Sequence, residues 1–300
     1  MLASFNGKVT KVGCGNAGFD VEFMAQFFKR ALDMKNVRLP REFVEILEPD
    51  NVDEKDSATQ NIFNMIILDE SGSMQNIEEQ AVSGLNETFQ TISNAQKEHQ
   101  EQKHFISFVT FNSVAIRTVM DRMPVDSSKK LEWTDYRPNG CTPLFDAMGQ
   151  SVTELKRYVN EKDVVLVTVI TDGYENASKQ YRGSDIKKLV SDLKEKGWVF
   201  AYIGTNQDVD VVADEIGVRS RMNYHYSDTG ARSMFETERR SRRCLYDGLA
   251  KYGRSILEDD YDYFHPGDEY AVKQVDESEK SHATSDAETR GFWRNLFHKK

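Results

Sequence analysis

The sequence predicts an α/β protein with a doubly wound, mostly parallel sheet, one antiparallel edge strand, an N-terminal extension and a disordered acidic C-terminal tail. Three observations predict it. Four short apolar runs rich in β-branched and aromatic residues, at 62–68, 105–111, 164–170 and 198–203, read as strands buried on both faces. Between them apolar residues recur at helical spacing: Ile77, Ala81, Val82, Leu85, Phe89 and Ile92, then Leu144, Met148, Val152 and Leu155. A fifth run, 114–120, follows the second after only Asn112 and Ser113, a link short enough to demand a hairpin and so one antiparallel edge.

Taken in order, residues 1–59 are expected to be a helical extension. They contain Gly13-Cys14-Gly15-Asn16-Ala17-Gly18, which matches GxGxxG. A dinucleotide site also needs an apolar first strand and further βα repeats. Here the preceding run is short and polar, and Phe23, Phe27 and Phe28 are suited to packing. The main domain spans 60–252. Its last third should hold a helix near 209–216 and a longer one near 230–252, whose Arg239, Arg240, Arg242 and Arg243 read as a solvated face. From 257 to 290, eleven Asp and Glu stand against three Lys and Arg. Such a composition cannot bury enough apolar surface to order itself, so 253–290 is expected to be a disordered linker. Residues 291–300 carry Phe292, Trp293, Leu296 and Phe297, which suit a turn folded back on the domain, a docking peptide, or a weak membrane-surface contact.

Composition narrows the function. A net charge of −10 argues against general nucleic-acid binding. The three cysteines, Cys14, Cys141 and Cys244, are odd in number and widely spaced, which makes neither a disulfide framework nor a zinc pattern. No apolar run approaches the roughly eighteen residues of a membrane span, and the first residues make a poor signal peptide. A cytoplasmic home is the expectation.

In an open parallel sheet, residues just past the carboxyl ends of adjacent strands converge. Asp69 follows the first strand run, in "ILDESGSM", and Asp172 follows the third, in "VITDGYENAS". Thr142, in "NGCTPLFDAMG", lies on a loop that can reach the same end. Asp69, Ser71, Ser73, Thr142 and Asp172 are thus five oxygen-bearing side chains expected at one spot. Three uses compete. Helix capping suits Ser71, Ser73 or Thr142 singly but leaves both acids unexplained. A nucleophilic Asp69 in a phosphohydrolase would want a second acid two residues on, where Ser71 stands, and the histidines are scattered. An oxygen-only set of mixed charge suits a hard cation, Mg²⁺ or Mn²⁺, with Gly72 giving a sharp turn between the serines.

DxSxS with a distant Thr and a distant Asp resembles the metal-ion-dependent adhesion site of the von Willebrand factor A family. The likeness spans roughly 60–252, and "ITDGYENAS" and "GCTPLFDA" are similar to stand-alone cytoplasmic bacterial and phage members. The resemblance implies a Rossmann-like doubly wound fold with the metal at the sheet top, held by Ser71, Ser73 and Thr142, with Asp69 and Asp172 in contact directly or through water. It also implies a binding function, in which an Asp or Glu of a protein partner completes the metal sphere, and no catalysis. An ATPase, kinase or phosphatase is the partner class suggested by cytoplasmic relatives. Glu70, Met74, Tyr174, Glu175, Asn206 and Gln207 are then expected on the partner-binding rim. The rival functions are a metal-dependent phosphohydrolase and a domain whose metal is purely structural.

Overall fold

The computed structural model describes residues 7–8, 37–38, 59–205, 209–257 and 261–265. The chain divides into two compact units, 1–58 and 59–300. In the first, β1 (Gly7–Lys8) pairs in parallel with β2 (Val37–Arg38). The GxGxxG segment and the expected helical extension lie outside the described residues, as do 266–300 with the terminal aromatic motif.

The second unit is built on a six-stranded sheet of order β5-β4-β3-β6-β7-β8. Its strands are β3 (Gln60–Asp69), β4 (Gln102–Phe111), β5 (Ile116–Pro124), β6 (Val164–Ile170), β7 (Trp198–Gly204) and β8 (Ser220–Asn223). All neighbours run parallel except β4 and β5, the expected hairpin. Every residue of β6 and β7 is buried, which is why these strands read as continuous apolar runs. The strand order reverses between β3 and β6, so the loops leaving these two strands part to opposite sides and open a crevice. Asp69 and Asp172 leave the sheet there.

The helices are α1 (Glu78–Glu98), α2 (Leu144–Lys156), α3 (Gly183–Lys194), α4 (Val209–Glu215) and α5 (Asp228–Tyr252). Alternation along β3 divides the core. Ile62, Ile66 and Leu68 pack into the cluster that includes α1 and α5, while Phe63, Met65 and Ile67 pack into the one that includes α2, α3 and α4. α1 and α5 approach closely at Gly84, where a Cβ would stand 2.3 Å from the Phe235 ring.

One strand was not foreseen, and two expectations are corrected. β8, with the polar sequence SRMN, carries no strand signature and forms because β7 offers it a parallel edge. The arginines of α5 are not a uniformly solvated face. Arg239 pairs with Glu87 at 2.8 Å, and Arg242 is wholly buried. The guanidinium of Arg242 reaches Glu238 Oε1, Asn64 Oδ1 and Thr168 Oγ1 at 2.5, 3.0 and 3.0 Å, and Tyr246 donates to Asn64 Oδ1 at 2.5 Å. Helix α5 is therefore fastened to the middle of β3 and β6 by charge-assisted bonds as well as by apolar packing. Finally, the ordered domain continues past Tyr252. A 3₁₀ turn covers Gly253–Leu257, Ile256 and Tyr263 are buried in the core, and Tyr263 donates to Glu238 Oε1 at 3.1 Å. The acidic composition of this segment concealed two apolar anchors.

Candidate functional site

Three loops meet at the carboxyl ends of β3 and β6. The first, after β3, brings Asp69, Ser71 and Ser73. The second, before α2, brings Thr142. The third, after β6, brings Thr171 and Asp172. They are stitched by backbone: Gly72 N–H donates to Gly140 O at 3.0 Å, Asn139 N–H to Glu70 O at 2.8 Å, and Asn176 N–H to Thr142 O at 3.1 Å. Gly140 makes its turn at φ +76°, a left-handed conformation that favours glycine, with Ser113 Oγ 2.5 Å from where a Cβ would be. Gly72 has no such φ: the chain between Ser71 and Ser73 enters the 3₁₀ turn Gly72–Ile77 without a left-handed residue.

The side chains converge. Ser73 Oγ donates to Asp172 Oδ1 at 2.6 Å, and the Ser71 and Ser73 hydroxyls lie 3.1 Å apart. Asp69 accepts from the Ser71 N–H at 2.7 Å and from Thr171 Oγ1 at 2.6 Å. Gly173 sits between Thr142 and Ser73, its Cβ position 3.3 Å from Thr142 Oγ1 and 3.8 Å from Ser73 Oγ. The five residues singled out from the sequence thus stand together.

Capping does not occupy the hydroxyls. Ser71 precedes the 3₁₀ turn Gly72–Ile77 but makes no side-chain cap bond, and the N-cap position of α2 is Pro143, also without one. One of the two carboxylates is short of a partner. Asp172 Oδ2 is buried and has no hydrogen-bond partner among the described residues. Burial pushes the Asp69 carboxyl up to about 6 against its bonds from Thr171 and Ser71, which pull the other way, with the charge of Asp172 adding a smaller upward push. Burial likewise raises Asp172, opposed by Ser73 and by the nearby Tyr226 hydroxyl. Two acids crowded out of water, with hydroxyl oxygens beside them, fit a divalent cation by charge and by donor chemistry.

Residues that the sequence did not mark hold this arrangement. Tyr136 donates to the Asp69 carbonyl at 2.7 Å. Asp146, on the first turn of α2, accepts the backbone N–H groups of Lys179, Gln180 and Tyr181, each at 2.8 Å. Asn176 Oδ1 accepts the Thr142 N–H at 2.9 Å. Their roles depend on loops distant in sequence, and only the acid on the first turn of α2 was open to notice.

The expected rim divides. Tyr174 is exposed. Met74 is buried at 1% exposure because it anchors the 3₁₀ turn in the core, and Glu70 is buried at 4%, accepting from Arg117 and from the Arg137 N–H. Neither presents a recognition surface. The Glu175 carboxylate is spent on the Phe145 N–H at the start of α2 and, inside its own loop, on the N–H groups of Ala177 and Ser178 and the Ser178 hydroxyl. Asn206 and Gln207 lie outside the described residues.

The family model of the von Willebrand factor type A domain matches residues 65–237, more than half of the chain. No curated protein sequence matches. Among solved structures, the chain is similar to the pilus adhesin SpaC from Lactobacillus rhamnosus GG at 11% identity and TM-score 0.48, over 62% of this chain and 31% of that one. It is similar to the PilB minor pilin from Streptococcus sanguinis at 11% identity and TM-score 0.47, over 63% and 62%. A von Willebrand factor type A protein from Catenulispora acidiphila is 13% identical with TM-score 0.44, over 60% and 42%. The chain therefore spans less than two thirds of the length of each.

Proposed function

The chain belongs to the von Willebrand factor type A domain family, and on that premise we propose that it is a non-catalytic protein-binding module whose site takes Mg²⁺ or Mn²⁺. Ser71, Ser73 and Thr142 would hold the cation through hydroxyl oxygens, with Asp69 and Asp172 in contact directly or through water. Bound there, a hard divalent cation supplies an electrophilic position for an anionic oxygen, and the ligand we assign to it is an Asp or Glu carboxylate of a protein partner. The observation that carries this reading is the unspent chemistry of the site: hydroxyls free of capping duty beside a buried carboxylate oxygen without a partner. Two carboxylates balance the charge of the ion, while hydroxyls donate weakly and leave it receptive.

The protein side is organised for positioning. Thr171 and the Ser71 N–H orient Asp69, Ser73 orients Asp172, and Asp146 and Glu175 keep the third loop in shape. The partner surface we assign is the exposed loop around Tyr174. Among the described residues no helix is long and apolar enough to cross a membrane. The setting we propose, by likeness to stand-alone family members, is that of a cytoplasmic adaptor serving an ATPase, kinase or phosphatase assembly.

The test is capture by the full chain with Mg²⁺ and with a chelator. Binding should disappear on chelation, and changing the partner's contacting Asp or Glu to its amide should abolish it too. Capture unchanged by chelator would confine the metal to a structural role. Hydrolysis of phosphate esters that is lost in Asp69→Ala would replace the binding module with an enzyme.

A further inference from the structure

The loop between β8 and α5 brings two tyrosines to the site that stand outside the DxSxS, Thr and Asp pattern. Tyr224 directly follows β8, and its backbone N–H is fixed on the carbonyl of Gly204, the last residue of β7. That places it at the same end of the sheet as Asp172, which leaves β6 beside β7. Tyr226, two residues on, crosses to the first loop and donates its hydroxyl proton to the Ser73 carbonyl. The segment is thus pinned against the site at both ends.

Between these pins Tyr224 is 6% exposed, and its hydroxyl has no hydrogen-bond partner among the described residues. Asp172 Oδ2 likewise has no hydrogen-bond partner, and the Tyr226 hydroxyl, which lies close enough to lower the Asp172 pKa, gives its proton to the Ser73 carbonyl. The two unpartnered oxygens are complementary: a carboxylate oxygen only accepts, whereas a phenol both donates and accepts. Burial raises the Tyr224 pKa, and the charges of Asp172 and Asp69 add to the rise, so the hydroxyl keeps its proton and remains a donor.

A buried hydroxyl without a partner keeps the cost of its desolvation uncompensated. Phenylalanine would fill the same core position without that cost, since the ring packs in the cluster with Ala231, Met234 and Phe235. The hydroxyl therefore has no work to do in the cation-free fold, and two unpartnered oxygens, borne by residues at the same end of the sheet and close enough for the charge of Asp172 to act on Tyr224, call for a small polar species to satisfy them.

We propose that Tyr224 is a positioning residue of this site, whose hydroxyl donates a hydrogen bond to a water or carboxylate oxygen lodged between it and Asp172. The inference rests on the metal reading above and extends the site from three loops to four. It makes the approach to the cation polar on the α5 side, and it selects an oxygen ligand able to accept a second bond over one that uses only the metal.

The experiment compares the full-length parent with Tyr224→Phe, using Mn²⁺ alone as the probe, by calorimetric titration and by thermal melting with and without the ion. A merely structural hydroxyl and a positioning hydroxyl give opposite patterns. The expected result is a cation-free melting temperature equal to or above that of the parent, together with an Mn²⁺ affinity lower by about 10-fold or more, the scale of lost outer-shell partners. Equal affinity in the two proteins overturns the inference while leaving the metal reading intact. So does a lower cation-free melting temperature with unchanged affinity. If the parent itself takes up no Mn²⁺, the metal reading falls and this inference with it.

Discussion

Arg242 and Glu238 form an ion pair at 2.5 Å with 0% and 2% of their side chains exposed, one turn apart on α5 and closed inside the protein. Taking two charges out of water is costly, and the cost is offset by satisfying the guanidinium with Asn64 and Thr168 as well. Arg242→Met, which leaves the Glu238 carboxylate buried and unpaired, should cost about 3–5 kcal/mol in urea unfolding. Arg242→Met with Glu238→Gln should recover a large part of that loss, because neither charge then remains. A double variant as unstable as the single one would show that the bonds to the sheet, and not the ion pair, carry the effect.

His104 lies within the same polar layer and should give the fold a pH dependence. Its ring is held down to about 3 by burial first, then by the positive charge of Arg242 and by His99. Its Nε2 bonds Gln102 Oε1 at 3.0 Å, and the Gln102 amide is oriented by its own donation to the Tyr246 carbonyl. The folded state keeps the imidazole neutral while the unfolded chain protonates near 6.5, so the unfolded state binds more protons below that value. The contribution of His104 is complete above pH 6.5 and is lost as pH falls toward 3. At pH 5 the loss is about 2 kcal/mol. Urea midpoints measured from pH 7.5 to 5 should fall more steeply in the parent than in His104→Gln, and parallel slopes would remove His104 as the cause.

Tyr263 ties the segment after α5 to the domain. It is fully buried, and its N–H donates to Ser220 Oγ at 2.9 Å. A chain ending at residue 257 should be less stable than one ending at residue 265 by about 3 kcal/mol, the scale of removing a large buried aromatic side chain. Tyr263→Ala in the full chain should reproduce most of that difference. Equal stability of the two truncations would place Tyr263 outside the folding unit.

Asp146 shapes the third loop without touching the proposed ligand position. Asp146→Ala frees the three N–H groups of residues 179–181, so amide hydrogen exchange there should quicken. Cation affinity should weaken, even though every proposed ligand remains, because the Asp172 loop loses its footing. Exchange and affinity both unchanged would mean that Glu175 and Asn176 hold the loop without Asp146.

The cation itself should stabilise the fold. At a hundred times its dissociation constant, Mg²⁺ or Mn²⁺ should add about 2.7 kcal/mol. Asp69→Ala should abolish the gain, and Thr142→Ala should reduce it with the apolar core untouched. A parent whose melting temperature ignores saturating cation would rule out the site.

The sequence by itself determined five of the six strands of the main sheet, the hairpin edge and the positions of Asp69, Ser71, Ser73, Thr142 and Asp172. Each of these is a local signal. A doubly buried strand needs an unbroken apolar run, an amphipathic helix needs its period, and residues at strand carboxyl ends are brought near one another by parallel topology alone. What only the tertiary structure decided are the partnerships between segments far apart in the chain. Arg242 reads as one more charge in an exposed run until Asn64 and Thr168 are placed beneath it. Glu70 and Glu175 read as rim acids until backbone donors from other loops, and from their own, are counted. Tyr263 sits in an acidic stretch whose composition says disorder, yet burial of one aromatic ring on Glu238 outweighs that composition locally. β8 has no signature because a parallel edge strand is stabilised by the ladder its neighbour provides. In each case the deciding free energy lies in desolvation and hydrogen bonding across more than twenty residues of chain or against a neighbouring element, where no periodicity in the sequence records it.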